Sequence, residues 1–402
     1  MSKETEKKEE EKRTRISGFR NILALGFVSF FTDISSEMCF SILPNFLLGL
    51  PGASRAVLGL IEGIAEALSQ SLRAVSGIFS DMFRRRKVIV LIGYAFSTAV
   101  KPLFAVAQTA VDVLVIRVSD RVGKGVRTAP RDALLSESVS EKQMGAAFGI
   151  HRTLDQMGAI IGPVLASTLM VYLGFTLRDV FWLSFIPGSV ALLIILFFVQ
   201  ERIGKAAGRP KLLAGMGTVL KGRFSLLLLV VGLFSLGAFN FSFILLRAQD
   251  VGVPMTLIPL VYAAINVSHT AVAIPSGVLA DKTGREKVLL IGYGVFLAST
   301  LLLSTSFGGA SYAFILGIVY GAYVGIVETV QRAMLPRYAP SELRGTVYGL
   351  YYLVVGVAAF IANTAFGTVW QYIGLATACT YSAVLSVAAI GGMTFFLRST
   401  KS

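Results

Sequence analysis

GIFSDMFRRRKV at residues 77–88 returns as GVLADKTGREKV at residues 277–288. Both stretches hold a glycine, an aspartate four residues later, a basic run and a closing Lys-Val pair. Farther along, Ala133, Leu135, Gly145 and Gly149 match Ala333, Leu335, Gly345 and Gly349 at the same offset of 200. One such match can be chance. Two, in the same order and register, point to a duplicated unit.

What is duplicated is a set of apolar segments. Of the 402 residues, 54% are hydrophobic and only 15% charged, against about 25% charged in an ordinary globular domain. Forty glycines and 28 phenylalanines suit helices that pack closely inside a bilayer. Cys39 and Cys379 both lie in apolar runs and read as small buried hydrophobes, with neither a disulfide framework nor a metal site in view. The net charge of +14 raises the question of nucleic acid, but the basic residues gather between alternate apolar stretches. No aromatic-basic RNA motif or zinc-finger spacing accompanies them, so nucleic acid is not an expected partner. No cofactor motif is present either: Walker A and dinucleotide spacings are both missing.

A spanning helix needs about 20 mostly apolar residues, because hydrocarbon offers the backbone no hydrogen bonds. Read that way, the first half gives spans near 21–44, 56–79, 88–107, 112–134, 144–170 and 179–200. The second gives 224–247, 256–279, 288–306, 311–335, 345–367 and 373–396. The expected fold is all-α and polytopic, with twelve transmembrane helices in two pseudo-symmetric six-helix bundles. Residues 1–20 read as a disordered tail, 21–200 as the first bundle, 201–223 as a linker and 224–397 as the second bundle. Lys and Arg crowd the tail, the linker and alternate connections, while the opposite connections offer little beyond Arg55 and Arg178. The positive-inside rule then expects both termini in the cytoplasm.

Charges inside the spans are the candidate chemistry. Asp33 and Glu37 in the first span, and Glu62 and Glu66 in the second, stand four residues apart, so each pair shares a helix face. Span four carries Arg117, Asp120, Arg121 and Lys124; span five adds His151, Arg152 and Asp155. Each charge near mid-bilayer costs about 2.5–3.5 kcal/mol, tolerable only beside water or a partner. Two close carboxylates disfavour double ionisation, and such a pair can take up and release a proton. Asp33, Glu37, Glu62, Glu66 and Asp155 are therefore proton-coupling candidates. Arg117, Arg121, Lys124 and Arg152 are candidates for the substrate cavity, with Asn240, Tyr262, Asn266, Tyr323 and Glu328 on its opposite wall. The plainer alternatives are fixed salt bridges, intrahelical pairs such as Arg152–Asp155 and Glu328–Arg332, and ordinary packing. His151 and His269 have no Cys/His set near them and are not metal candidates.

The paired Gly-x-x-x-Asp segments resemble the signature of the major facilitator superfamily, found between helices two and three and again between eight and nine. The second copy follows the pattern throughout; the first has Arg84 where glycine is usual. Arg117 in VIRVSDRVGKG resembles the basic residue of the family's fourth helix. Gly158-Ala-Ile-Ile-Gly162-Pro163 resembles the Gly-Pro signature of its fifth, associated with export by antiport. The resemblance implies gating roles for Gly77, Asp81, Arg85, Gly277, Asp281, Arg285, Gly158, Gly162 and Pro163, against the alternative of permanent loop staples. It implies a multi-pass plasma-membrane protein of the bacterial inner membrane, working as a monomer.

The expected function is secondary transport by alternating access, not enzymatic turnover. Proton-coupled antiport exporting a small amphipathic or charged solute leads, as in bacterial efflux members of the family. The alternatives are proton-coupled symport of an organic anion or metal chelate, and a membrane-embedded enzyme built on Ser35 or Ser36 beside Asp33 and Glu37.

Overall fold

A computed structural model of the chain describes residues 3–82, 86–139, 143–201, 216–220, 223–305, 307–338 and 344–398. Within them the chain forms twelve rods. The first is α1 (Lys3–Phe40) followed by α2 (Leu43–Leu48), and α3 (Arg55–Met82) is the second. α4 (Arg86–Val100) runs into a 3-10 turn, Lys101–Val106, and α5 (Ala110–Glu137) and α6 (Met144–Tyr172) follow. The sixth rod is α7 (Leu177–Leu183) with α8 (Phe185–Phe198). A short α9 (Met216–Val219) precedes α10 (Arg223–Gly237) and α11 (Phe241–Asp250), which make the seventh rod. The last five are α12 (Ile258–Thr283), α13 (Arg285–Ser304), α14 (Ala310–Met334), α15 (Arg344–Tyr372) and α16 (Leu375–Arg398).

Ten rods are long and apolar enough to cross a membrane. The other two, α3 and α5, have 28 residues each, about 42 Å at 1.5 Å per residue. They have the length to span, but charges such as Glu62, Glu66 and Arg73 in α3 and Arg117 to Lys124 in α5 interrupt their apolar runs. Thr109 opens α5 with a capping box to Asp112, and Thr176 opens α7 in the same way with Asp179. The rods sort into two bundles of six, and the halves repeat in detail. A methyl group on Gly93 of α4 would meet Arg127 of α5 at 2.8 Å; one on Gly292 of α13 would meet Val327 of α14 at 2.7 Å.

Two boundaries differ from the sequence expectation. Residues 3–20, expected as a disordered tail, continue α1 back to Lys3; KETEKKEEEKR is made mostly of strong helix formers. Rod seven, expected as one helix over 224–247, breaks at 238–240. There Asn240 caps α11 by accepting from the Ser242 N–H at 2.9 Å. Most of the expected 201–223 linker lies outside the described residues.

An even number of rods brings both termini to one end. At the far end the bundles are tied together. Arg55 of α3 pairs with Asp250 of α11 at 2.8 Å, and Asn45 of α2 donates to Gln249 at 2.7 Å. Ser167 of α6 donates to the carbonyl of Thr256 at 2.6 Å. Gly59 and Gly63 of α3 let it lie directly on the α15 backbone at Asn363 and Phe360. Toward the termini, Arg152, Glu328 and Arg332 keep side-chain exposures of 53%, 44% and 40%. Contacts thus close the bundles onto each other at the far end, while these charged side chains stay accessible toward the termini.

Candidate functional site

The charged side chains of the first bundle are brought together by glycines. Gly158 of α6 faces the Phe30 carbonyl, with Asp33 Cβ 3.1 Å from where its own Cβ would stand; Gly162 faces the Ile34 carbonyl at 2.7 Å and Glu37 Cβ at 3.2 Å. Larger residues would hold α6 off α1. The Gly-Pro signature therefore sets how closely Asp155 approaches the first helix.

The carboxylates of each expected pair take different partners. Asp33 lies beside Asp155 of α6, and both line one cavity. Glu37 instead accepts a 2.6 Å hydrogen bond from the Tyr262 hydroxyl of α12, in the other bundle. Glu62 forms an ion pair with Arg117 at 2.9 Å, both side chains only 3% exposed. Glu66 accepts from Gln70 on its own helix. The reason is geometric: i,i+4 spacing fixes a common direction, but each carboxylate then finds whichever donor the neighbouring helix presents.

The cations follow the same logic. Arg117 and Arg121 both lie over the Phe40 ring, 3.8 and 5.0 Å from its centre. Arg121 reaches Asp120 at 3.9 Å, and Asp120 also accepts from Ser97. Arg152 pairs within its own helix with Asp155 at 2.9 Å. Arg127 stacks over Tyr94, and Arg131 binds Asp132 and Ser29. Between these helices lies a cavity of about 100 Å³, lined by Asp33, Arg73, Lys124, Arg127, Arg131, Arg152 and Asp155 among others.

On the opposite wall, Tyr262 stacks on Phe241 at 4.3 Å, and Asn266 donates to the Ala159 carbonyl of α6 at 3.0 Å. Both are interface residues. Tyr323 belongs to an aromatic cluster with Phe234, Phe296 and Tyr320. Glu328 and Arg332 form an intrahelical pair at 2.9 Å. Asn240 is a helix cap, and its N–H binds Asn363 of α15. His151 binds the Ser29 hydroxyl. Ser35 donates to the Ser184 carbonyl and Ser36 accepts from Lys101, so neither serine is hydrogen-bonded to a carboxylate.

Of the expected gate, the second copy is visible. Arg285 pairs with Asp281 at 3.3 Å and donates to the Ala333 carbonyl, and Gly284 takes a φ of +102°, which favours glycine. A methyl group on Gly277 would make only an ordinary 3.6 Å contact with Thr329. Arg85, and the surroundings of Gly77 and of the Asp81 side chain, lie outside what is described. Sequence reading missed Lys101, which is fully buried with its ammonium on Ser36 at 3.1 Å. A lone lysine inside an apolar run was the available signal.

Comparison with known proteins decides the family. The profile of the Major Facilitator Superfamily matches residues 25–363 and again 224–401. The chain belongs to this superfamily. Its members are transporters, and this facilitator is a secondary transporter of small molecules rather than an enzyme. It is 33% identical over 88% of its length to an uncharacterized MFS-type transporter of Methanocaldococcus jannaschii, covering 89% of that protein. It is 24% identical to the multidrug resistance protein MdtH of Aeromonas hydrophila, over 80% of each chain. In structure it is similar to the nucleoside transporter NupG, with a TM-score of 0.75 at 13% identity over 95% of this chain and 99% of that one. A POT family transporter bound to a thioalcohol-conjugated peptide gives 0.77 at 13% identity, over 95% and 96%. These likenesses are to the fold.

Proposed function

We propose that this facilitator is a proton-coupled antiporter that exports a small amphipathic or charged solute. The observation that carries the reading is the pair of carboxyls, Asp33 and Asp155, lining one cavity between α1, α5 and α6. Two carboxyls placed side by side can share a proton. Once that proton leaves, they repel, and Lys124 and Arg152 are the cations at hand. One helix turn away, Glu37 holds Tyr262 across the seal at the far end. Opening that end must break this bond, so the charge of the Asp33–Glu37 face and the position of the bundles are linked through a single helix.

In this reading Asp33, Glu37 and Asp155 carry the proton, while Glu62 holds Arg117 in place. The excess of Lys and Arg at the termini end supports a cytoplasmic location for it, and the accessible charged side chains then face inward. Asp281 and Arg285 act as the gate between α12 and α13, and one chain forms the whole pathway. Likeness to a multidrug resistance protein and the Gly158–Pro163 signature support the export direction.

The excess of cations over carboxylates around the cavity favours a second reading, proton-coupled symport of an organic anion or metal chelate. Proteoliposomes under an imposed pH gradient separate the two, since antiport and symport require opposite relations between proton and solute flux. Replacing Asp33 by Asn together with Glu37 by Gln is expected to abolish proton-dependent flux in a protein that still folds. Intact coupling in that variant sinks the assignment.

A further inference from the structure

The cavity in the first bundle has a charge balance that its own residues do not close. Five cationic side chains and two carboxylates line it. Arg131 is neutralised by Asp132 and Arg152 by Asp155. Asp33 lies beside Asp155. That leaves Arg73 and Arg127 lining one space from α3 and α5, with Lys124 beside Asp33. Arg127 is only 4% exposed, and its Nη1 is buried with no hydrogen-bond partner. A buried guanidinium donor left unmatched is costly, and a cation excess inside a spanning bundle more so.

We infer that this cavity is a binding site for a small oxyanion: a phosphate, sulfate or carboxylate group. Arg127 supplies a donor that nothing else uses, and guanidinium forks match the paired oxygens of such groups. Arg73 and Lys124 add charge from two helices. The hydroxyls of Ser29, Thr32 and Thr128, also in the lining, can donate to the remaining oxygens. Tyr94, also in the lining, lies with its ring 4.1 Å from the Arg127 guanidinium. The same chemistry suits a free anion and the headgroup of an anionic lipid. Any part the site plays in solute movement rests on the transport reading above; its occupancy does not.

The test uses the full chain in phosphatidylcholine nanodiscs, with labelled inorganic phosphate, sulfate and succinate as probes. Saturable binding of at least one probe is expected. It should weaken at least about tenfold in Arg127→Gln and in Arg73→Gln, less in Arg127→Lys, and not at all in Lys282→Gln at the exposed last turn of α12. Size-exclusion profiles of the variants confirm that they remain folded. Adding phosphatidylglycerol tells the sources apart: competition with the probe identifies a headgroup, and unchanged binding a free anion. Either supports the site. Absence of binding for all three probes, or equal binding by wild type and Arg127→Gln, overturns it. No gradient is applied, so a protein that binds anion yet couples no protons defeats the transport reading and leaves this one standing.

Discussion

The two bundles share one architecture and fill their centres in opposite ways. At the offset of 200, Arg117, Asp120, Arg121 and Lys124 of α5 correspond to Gly317, Tyr320, Gly321 and Val324 of α14. The first bundle is a lattice of charges held by neighbours on other helices. The second is stacked aromatics: Phe234 lies on Tyr293 at 3.9 Å, Phe239 on Phe366 at 4.5 Å, and Tyr320 ties its hydroxyl to the Phe239 carbonyl at 2.7 Å. Gly317 and Gly321 let α14 sit on the backbone of α12. Charges exchange partners when water or a proton arrives, whereas packed rings have nothing to exchange. Duplication therefore produced one half suited to respond and one suited to hold its shape.

The largest expected effect breaks that division. Asp33→Asn with Glu37→Gln should remove proton-driven flux in proteoliposomes. Leu233→Ala, at the position matching Asp33, should preserve the coupling ratio even if expression falls. Next come the interiors. Glu62→Gln strands a buried Arg117 and should cost about 3–5 kcal/mol in reversible unfolding in mixed micelles; adding Arg117→Met should restore part of the loss. Phe234→Ala should cost a similar amount, about 3–5 kcal/mol, by opening a cavity, but without moving the pH dependence of transport. A shift in that dependence would show that the second bundle is no passive wall.

Smaller effects sharpen the same contrast. Tyr262→Phe removes a hydrogen bond to a carboxylate, worth about 1.5–3 kcal/mol. It should raise the labelling rate of a cysteine placed at the far-end seal. Unchanged labelling would mean that this bond does not hold the seal. Smallest of all, Glu328→Gln breaks a half-exposed intrahelical pair and should change stability by under about 1 kcal/mol. A loss as large as that of Glu62→Gln would erase the distinction between the bundles.

Much of the fold was legible because hydropathy and span length are properties of contiguous residues. The twelve rods, the doubling and the common end of the termini all follow from runs that any reader can count. Failures of the reading are local in cause. The break at 238–240 depends on an asparagine choosing a cap, and the helix at residues 3–20 on strong helix formers outweighing a polar composition. The site was legible only as an inventory. Asp33, Glu37, Arg117 and Asp155 are visible as costly charges, but Lys101 drew no notice.

The chain alone determined that charged residues would be enclosed by lipid-spanning helices, since no rearrangement can take them out of those segments. Which charge meets which was decided by tertiary structure. Asp33 lies beside Asp155, Glu62 holds Arg117 and Glu37 binds Tyr262, all across separations that periodicity does not reach. Those meetings depend on how near two helices can lie and how each is turned. Here, small residues such as Gly158 and Gly162 set that approach, where backbone rests on backbone.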